Sequence, residues 1–122
     1  MKLFLILGII NGFLAVALGA FGAHGLEGKI SAKALAVWEK AVNYQMFHTM
    51  ALLVTGLLLG KYQAASLNGA GWLFFAGILL FSGSLYIYAP TGIKTFAMIT
   101  PIGGLAFLAG WVVLGYATLK LV

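Results

Sequence analysis

The stretch Leu3–Ala23, LFLILGIINGFLAVALGAFGA, carries no charge and one strongly polar side chain, Asn11. About 20 mostly apolar residues are enough to cross the hydrocarbon core of a bilayer as a helix. The run is longer than the roughly 7–15-residue apolar segment of a secretory leader, and further apolar runs follow it. It therefore reads as a first membrane span, about residues 3–24, and not as a cleaved leader. Lipid offers no hydrogen-bond partners, so each span must satisfy its own backbone. The alternation that would mark a β-barrel strand is absent, which leaves helices.

Working outward, Gly22–Ile30 is a glycine-rich break holding His24, Glu27 and Lys29. Ser31 then suits a helix N-cap. Beyond it Leu35, Trp38 and Val42 share one helical face, while Lys33, Lys40 and Asn43 lie on another. No breaker separates this amphipathic segment, about 31–43, from the apolar run Tyr44–Leu59. One helix from Ser31 to about Gly60 would be ~45 Å long, against a hydrocarbon core of about 30 Å. Its first turns should lie in the interface, leaving about 41–60 as the second span. The third span covers about 69–89 and ends before Pro90. The fourth covers about 100–121, with Thr100 as N-cap and Pro101 at the first helical position, where a missing N–H costs nothing. A start near Thr95 with a kink at Pro101 is the alternative. The expected fold is all-α: a polytopic membrane protein forming a single domain over 1–122, with four transmembrane helices and an amphipathic extension at the start of the second.

Composition agrees. The chain is 63% hydrophobic and 7% charged, where a soluble domain carries about 25% charged residues. There is no cysteine, aspartate or arginine. Disulfide frameworks, thiolate sites and Ser-His-Asp hydrolase triads are thereby excluded, and no catalytic constellation emerges. The net charge of +5 comes from lysines scattered singly beside apolar runs. They suit interfacial anchoring better than a phosphate-tracking stripe, so no nucleic-acid partner is expected. Lys2, Lys61 and Lys120 fall on one side of the bilayer and Lys29, Lys33, Lys40 and Lys94 on the other. The positive-inside rule gives no orientation from so even a division.

Polar residues inside spans carry a functional hypothesis by default. Gln45, His48 and Thr55, with Thr49 beside them, form a polar stripe on an otherwise apolar helix, and it must face other helices. His48 could serve as a metal or haem ligand or carry protons, or could simply bond a neighbouring helix. His24 ends the first span and could join it in a metal site, although their spacing matches no ligand motif. Asn11, Ser82 and Ser84 suit bonds across helices. Gly8 with Gly12, Gly19 with Ala15 and Ala23, and Gly103 with Ala106 and Gly110 form rows of small residues that let helix backbones approach. Trp72, Tyr62, Tyr86, Tyr88 and Tyr116 lie near span ends and suit an interfacial aromatic belt.

Several motifs together resemble the domain-of-unknown-function 423 family of small bacterial membrane proteins, to which the transmembrane protein 256 group is similar. They are Gly22-Ala-His-Gly25, the stretch Glu39–Leu53 (EKAVNYQMFHTMALL), Gly83-Ser-Leu-Tyr86, Thr100-Pro-Ile-Gly-Gly104 and Gly110-Trp111. The resemblance covers essentially the whole chain. It implies a four-helix protein of the bacterial plasma membrane and marks His24, His48, Pro101, Gly103, Gly104 and Trp111 as motif positions. It brings no reaction, substrate or cofactor.

The leading functional expectation is an accessory or scaffold bundle without a cofactor. Its partners would be the lipid bilayer and either further copies of itself, as a homo-oligomer, or other membrane proteins. On that reading, leucine at Gly12 or Gly110 would break a complex. The alternative is an oligomeric transporter or channel for a small solute, lined by Gln45, His48 and Thr55. A weaker one is a metal- or haem-binding protein using His24 and His48.

Overall fold

The computed structural model describes residues 2–122. Helix α1 covers Lys2–Phe21 and is prolonged by a π-helical turn over Gly22–Leu26. A short turn, with Gly28 at φ 81°, leads to α2, Ala32–Tyr62. Helix α3 spans Ala65–Thr91, with a π-helical segment at Ile78–Gly83, and α4 is Lys94–Leu121. All four are long and apolar enough to cross a bilayer.

The caps follow from local chemistry. The Ser31 hydroxyl oxygen accepts the Ala34 N–H at 3.0 Å, and α2 then runs unbroken through the amphipathic stretch and the apolar one. Gly92 closes α3 in the left-handed conformation (φ 69°), its N–H donating to the Tyr88 carbonyl at 2.7 Å. Only Gly or a short polar residue adopts that backbone readily.

Two boundaries differ from expectation. Helix α4 begins at Lys94, not Thr100, and Pro101 lies inside it. Gly92 and extended Ile93 complete the turn by themselves, so the helix starts at once. Thr100, expected as a cap, instead shares a 2.6 Å hydrogen bond with the Ser84 hydroxyl of α3. Helix α3 starts at Ala65, earlier than residue 69, and carries Pro90 in its last turn. A proline so near the C-terminus removes a single ladder bond.

The helices run up and down in chain order, α1 lying along α2 and α3 lying between α2 and α4. The central pair is the more enclosed: half of the spanning window of α2 is buried, against 22% in α1 and α4. The main core gathers Phe4, Leu52, Leu67, Phe74 and Phe107. A smaller cluster of Trp38, Val42 and Ala89 closes the end where α1 and α3 finish.

Small residues set the helix spacing. A methyl group added at Gly103 would fall on the backbone of Leu80 and Phe81, within the π-helical segment of α3. At Gly8 it would meet the Leu53 side chain at 2.6 Å, and at Gly110 the Phe74 ring at 2.8 Å. Gly19 is tight against Val42 at 3.2 Å, whereas Gly12 has ordinary room beside Thr49 at 3.5 Å. These glycines face the chain's own helices. Leucine at Gly110 would strike Phe74 within the bundle, so that variant would disturb the protein's own packing as well as any complex.

Candidate functional site

Trp38, Ala41, Gln45, His48, Leu52 and Thr55 recur at helical spacing and are all buried. This is the inner face of α2, and it holds three of the buried polar side chains, Gln45, His48 and Thr55.

Gln45 bridges three helices. Its side-chain N–H donates to Asn11 Oδ1 of α1 at 2.9 Å, and its Oε1 accepts the Tyr86 hydroxyl of α3 at 2.6 Å. Asn11 in turn donates through Nδ2 to the Leu7 carbonyl at 2.8 Å. That carbonyl can only accept, so it fixes the direction of the whole chain of bonds. Tyr86 donates to Gln45, Gln45 to Asn11, and Asn11 to the backbone. Reversing either amide would place two acceptors together.

His48 is held in the same way from both sides. The Tyr44 carbonyl lies 2.8 Å from Nδ1 and can only accept, so Nδ1 carries the proton. The Trp111 indole N–H of α4 can only donate, and it points at Nε2 at 3.0 Å. The imidazole also lies flat on the Phe107 ring, with centroids 3.5 Å apart and planes 8° from parallel. The neutral Nδ1–H tautomer satisfies every contact. The lone pair that a metal or haem iron would need is the one that receives the Trp111 N–H.

Thr55 looks elsewhere again. Its hydroxyl donates to the Ala51 carbonyl of its own helix at 2.7 Å, as Thr49 does to Gln45 at 2.8 Å. Gln45, His48 and Thr55 thus face α1 with α3, α4, and their own backbone respectively. They do not line one path. Two further bonds tie α2 to its neighbours: Ser82 Oγ donates to the Ala41 carbonyl at 2.7 Å, and Trp38 Nε1 to the Leu18 carbonyl at 2.9 Å. Among the described residues, no buried side-chain nitrogen or oxygen is left without a partner.

His24 is exposed in the π-helical turn that ends α1. His48 lies sixteen residues into α2, roughly 24 Å along its axis, so the two are not brought together. Among the described residues no three His or Glu side chains gather to hold a metal.

The partners of the stripe were harder to foresee than the stripe itself. Tyr86, expected in the aromatic belt, turns inward onto Gln45 and packs edge-on against Trp38 at 4.8 Å. A signal existed: Ser82, Tyr86 and Ala89 share one helical face, and Ser82 was already marked as an inter-helix donor. Trp111 stood out only as a motif position beside Gly110 and Trp38 only as part of an apolar face with Leu35 and Val42, and neither sign pointed to its hydrogen-bond partner.

Apolar helices of spanning length, joined by short turns and stitched by interior hydrogen bonds, define a small multi-pass integral membrane protein. The family follows from comparison with known proteins. The family described as "Protein of unknown function (DUF423)" matches residues 18–104, and the chain belongs to it. A UPF0382 membrane protein of Staphylococcus aureus is 58% identical over 120 residues, 98% of each chain. One of Staphylococcus haemolyticus is 55% identical over 122 residues, 100% of this chain and 99% of its own. The UPF0382 membrane protein YwdK of Bacillus subtilis is 54% identical over 121 residues, 98% of each. No solved structure matches the chain. This is a multi-pass bacterial membrane protein of unassigned activity.

Proposed function

We propose that the protein is an accessory bundle that packs sideways against other membrane helices. The observation that carries this reading is where its polar groups go. Among the described residues every buried one is engaged within the chain, which leaves a solute no free polar group there to bind. What the molecule presents to its surroundings is apolar. On α4, Leu105, Leu108 and Val112 are 66%, 65% and 72% exposed. Gly115 interrupts that surface with open space above it. Helices associate in lipid by close packing, and small residues beside large ones permit it.

The absence of cysteine makes the test direct, because a single introduced thiol is unique. Leu108→Cys in native membranes should give one discrete cross-linked species, either a dimer of this chain or an adduct with another membrane protein. Adding Gly115→Leu should reduce it several-fold, since an added side chain there meets nothing within 4 Å and leaves the fold intact. Monomer alone, both at Leu108→Cys and at Phe13→Cys on α1, would remove the basis for an accessory role.

A further inference from the structure

At the membrane face where α1 and α3 end, an open groove of about 480 Å³ runs between the first turns of α2 and the last turn of α3. Lys29 and Lys33 line it from one side and Thr91 and Gly92 from the other, while Ile30, Val37 and Pro90 supply apolar wall. Neither carboxylate of the chain, Glu27 or Glu39, borders it. We propose that this groove binds the phosphodiester headgroup of an anionic membrane phospholipid.

Three independent properties converge on that occupant. The first is charge: two lysines line one groove that neither Glu27 nor Glu39 borders, so an anion is the complementary guest. The second is depth. The α1–α2 and α3–α4 turns both lie at this face, just beyond four spanning helices, which is the level at which lipid phosphates sit. Trp38 and Tyr86 pack together just below it, with Tyr88 on the groove wall. The third is shape. A lysine rim above an apolar wall matches an amphiphile, polar at the head and apolar below, better than a free ion. Basic pockets between membrane helices recognise lipid headgroups in this way. The start of α2 adds donors. The Ser31 oxygen accepts from Ala34, which leaves its own O–H free to turn into the groove, and the Ala32 and Lys33 N–H groups have no acceptor within the helix.

The phosphate chemistry could be offered by lipid or by the free ion, and the experiment separates them. The detergent-purified full chain is titrated with phosphatidylglycerol, with phosphatidylcholine of the same chain length, and with inorganic phosphate, and bound mass is read by native mass spectrometry. Phosphatidylglycerol should bind in preference to phosphatidylcholine. Lys29→Gln with Lys33→Gln should weaken it by about thirtyfold, the scale expected for two interfacial lysines. Lys61→Gln with Lys120→Gln, on the other face, should leave binding unchanged. Equal binding of phosphatidylcholine, or an equal loss in both double variants, would overturn the proposal. Displacement of the lipid by millimolar inorganic phosphate would do the same, by making the groove an ion site.

Discussion

The seam between α1 and α2 is crossed by two interior hydrogen bonds and packed by leucine side chains. In the seam between α3 and α4, by contrast, a glycine rests directly on main chain and one hydrogen bond, Ser84 to Thr100, crosses. In the first, Leu53 fills the space over Gly8 and Leu5 the space over Gly56. Hydrogen bonds from Gln45 to Asn11 and from Trp38 to the Leu18 carbonyl cross it. In the second, Gly103 rests on the main chain of Leu80 and Phe81, and rings cover the glycines on either side: Phe107 over Gly77, Phe74 over Gly110. Lipid tails are as apolar as leucine, so neither seam gains from leaving its solvent. The first gains more from polar bonds that lipid cannot supply. The second, with the single Ser84–Thr100 bond, gains more from dispersion contacts made by bringing main chains together. The two should fail differently.

The largest effect is expected where backbone meets backbone. Gly103→Ala places a methyl group against atoms that cannot rotate aside, and the neighbouring π-helical turn has to shift. The expected loss is about 3 kcal/mol or more, the upper range for overpacking. Unfolding in mixed micelles would measure it. Gly104→Ala, one residue away, meets only the Phe81 ring edge at 3.9 Å and should change stability by less than about 0.5 kcal/mol. Equal stability of the two variants would contradict the close crossing.

A middle-sized effect is expected at the side-chain seam. Gln45→Leu keeps bulk but strands Asn11 and Tyr86, both hydrogen-bonded through it. The expected loss is about 1–2 kcal/mol. A double-mutant cycle of Gln45→Leu with Tyr86→Phe should give a coupling of about 0.6–1.7 kcal/mol, between the average and the maximum found for inter-helix bonds in membranes. Additive effects would mean that the bond across α2 and α3 contributes nothing to holding them together.

The same contrast explains how much could be read beforehand. The spans were legible because lipid imposes a crude and local rule, a run of apolar residues of fixed length. The polar stripe of α2 was legible because helical spacing places Gln45, His48 and Thr55 on related faces. Their partners were not, since Tyr86 and Trp111 are amphipathic rings that suit the interface or the interior equally well. The start of α4 was misread for a related reason. Thr100-Pro101 is a sound local start signal, but a two-residue turn and the pairing of Thr100 with Ser84 on another helix decide the outcome. Local rules place helices along the chain, and contacts far apart in sequence decide what each polar group does.

The smallest effect separates a polar residue that joins helices from one that only sits between them. Thr55 is fully buried, yet its hydroxyl reaches no farther than the Ala51 carbonyl one turn back. That carbonyl retains its ladder bond from the Thr55 backbone N–H, so removing the hydroxyl leaves no buried group without a partner. Valine has the same branched shape and nearly the same volume, and its methyl takes the place of the hydroxyl within the same buried space. Thr55→Val should therefore alter unfolding in mixed micelles by less than about 0.5 kcal/mol, well below Gln45→Leu, although the sequence presents the two residues as members of one stripe. A loss as large as that of Gln45→Leu would mean that Thr55 reaches a group beyond its own helix, and would restore the stripe as a single functional surface.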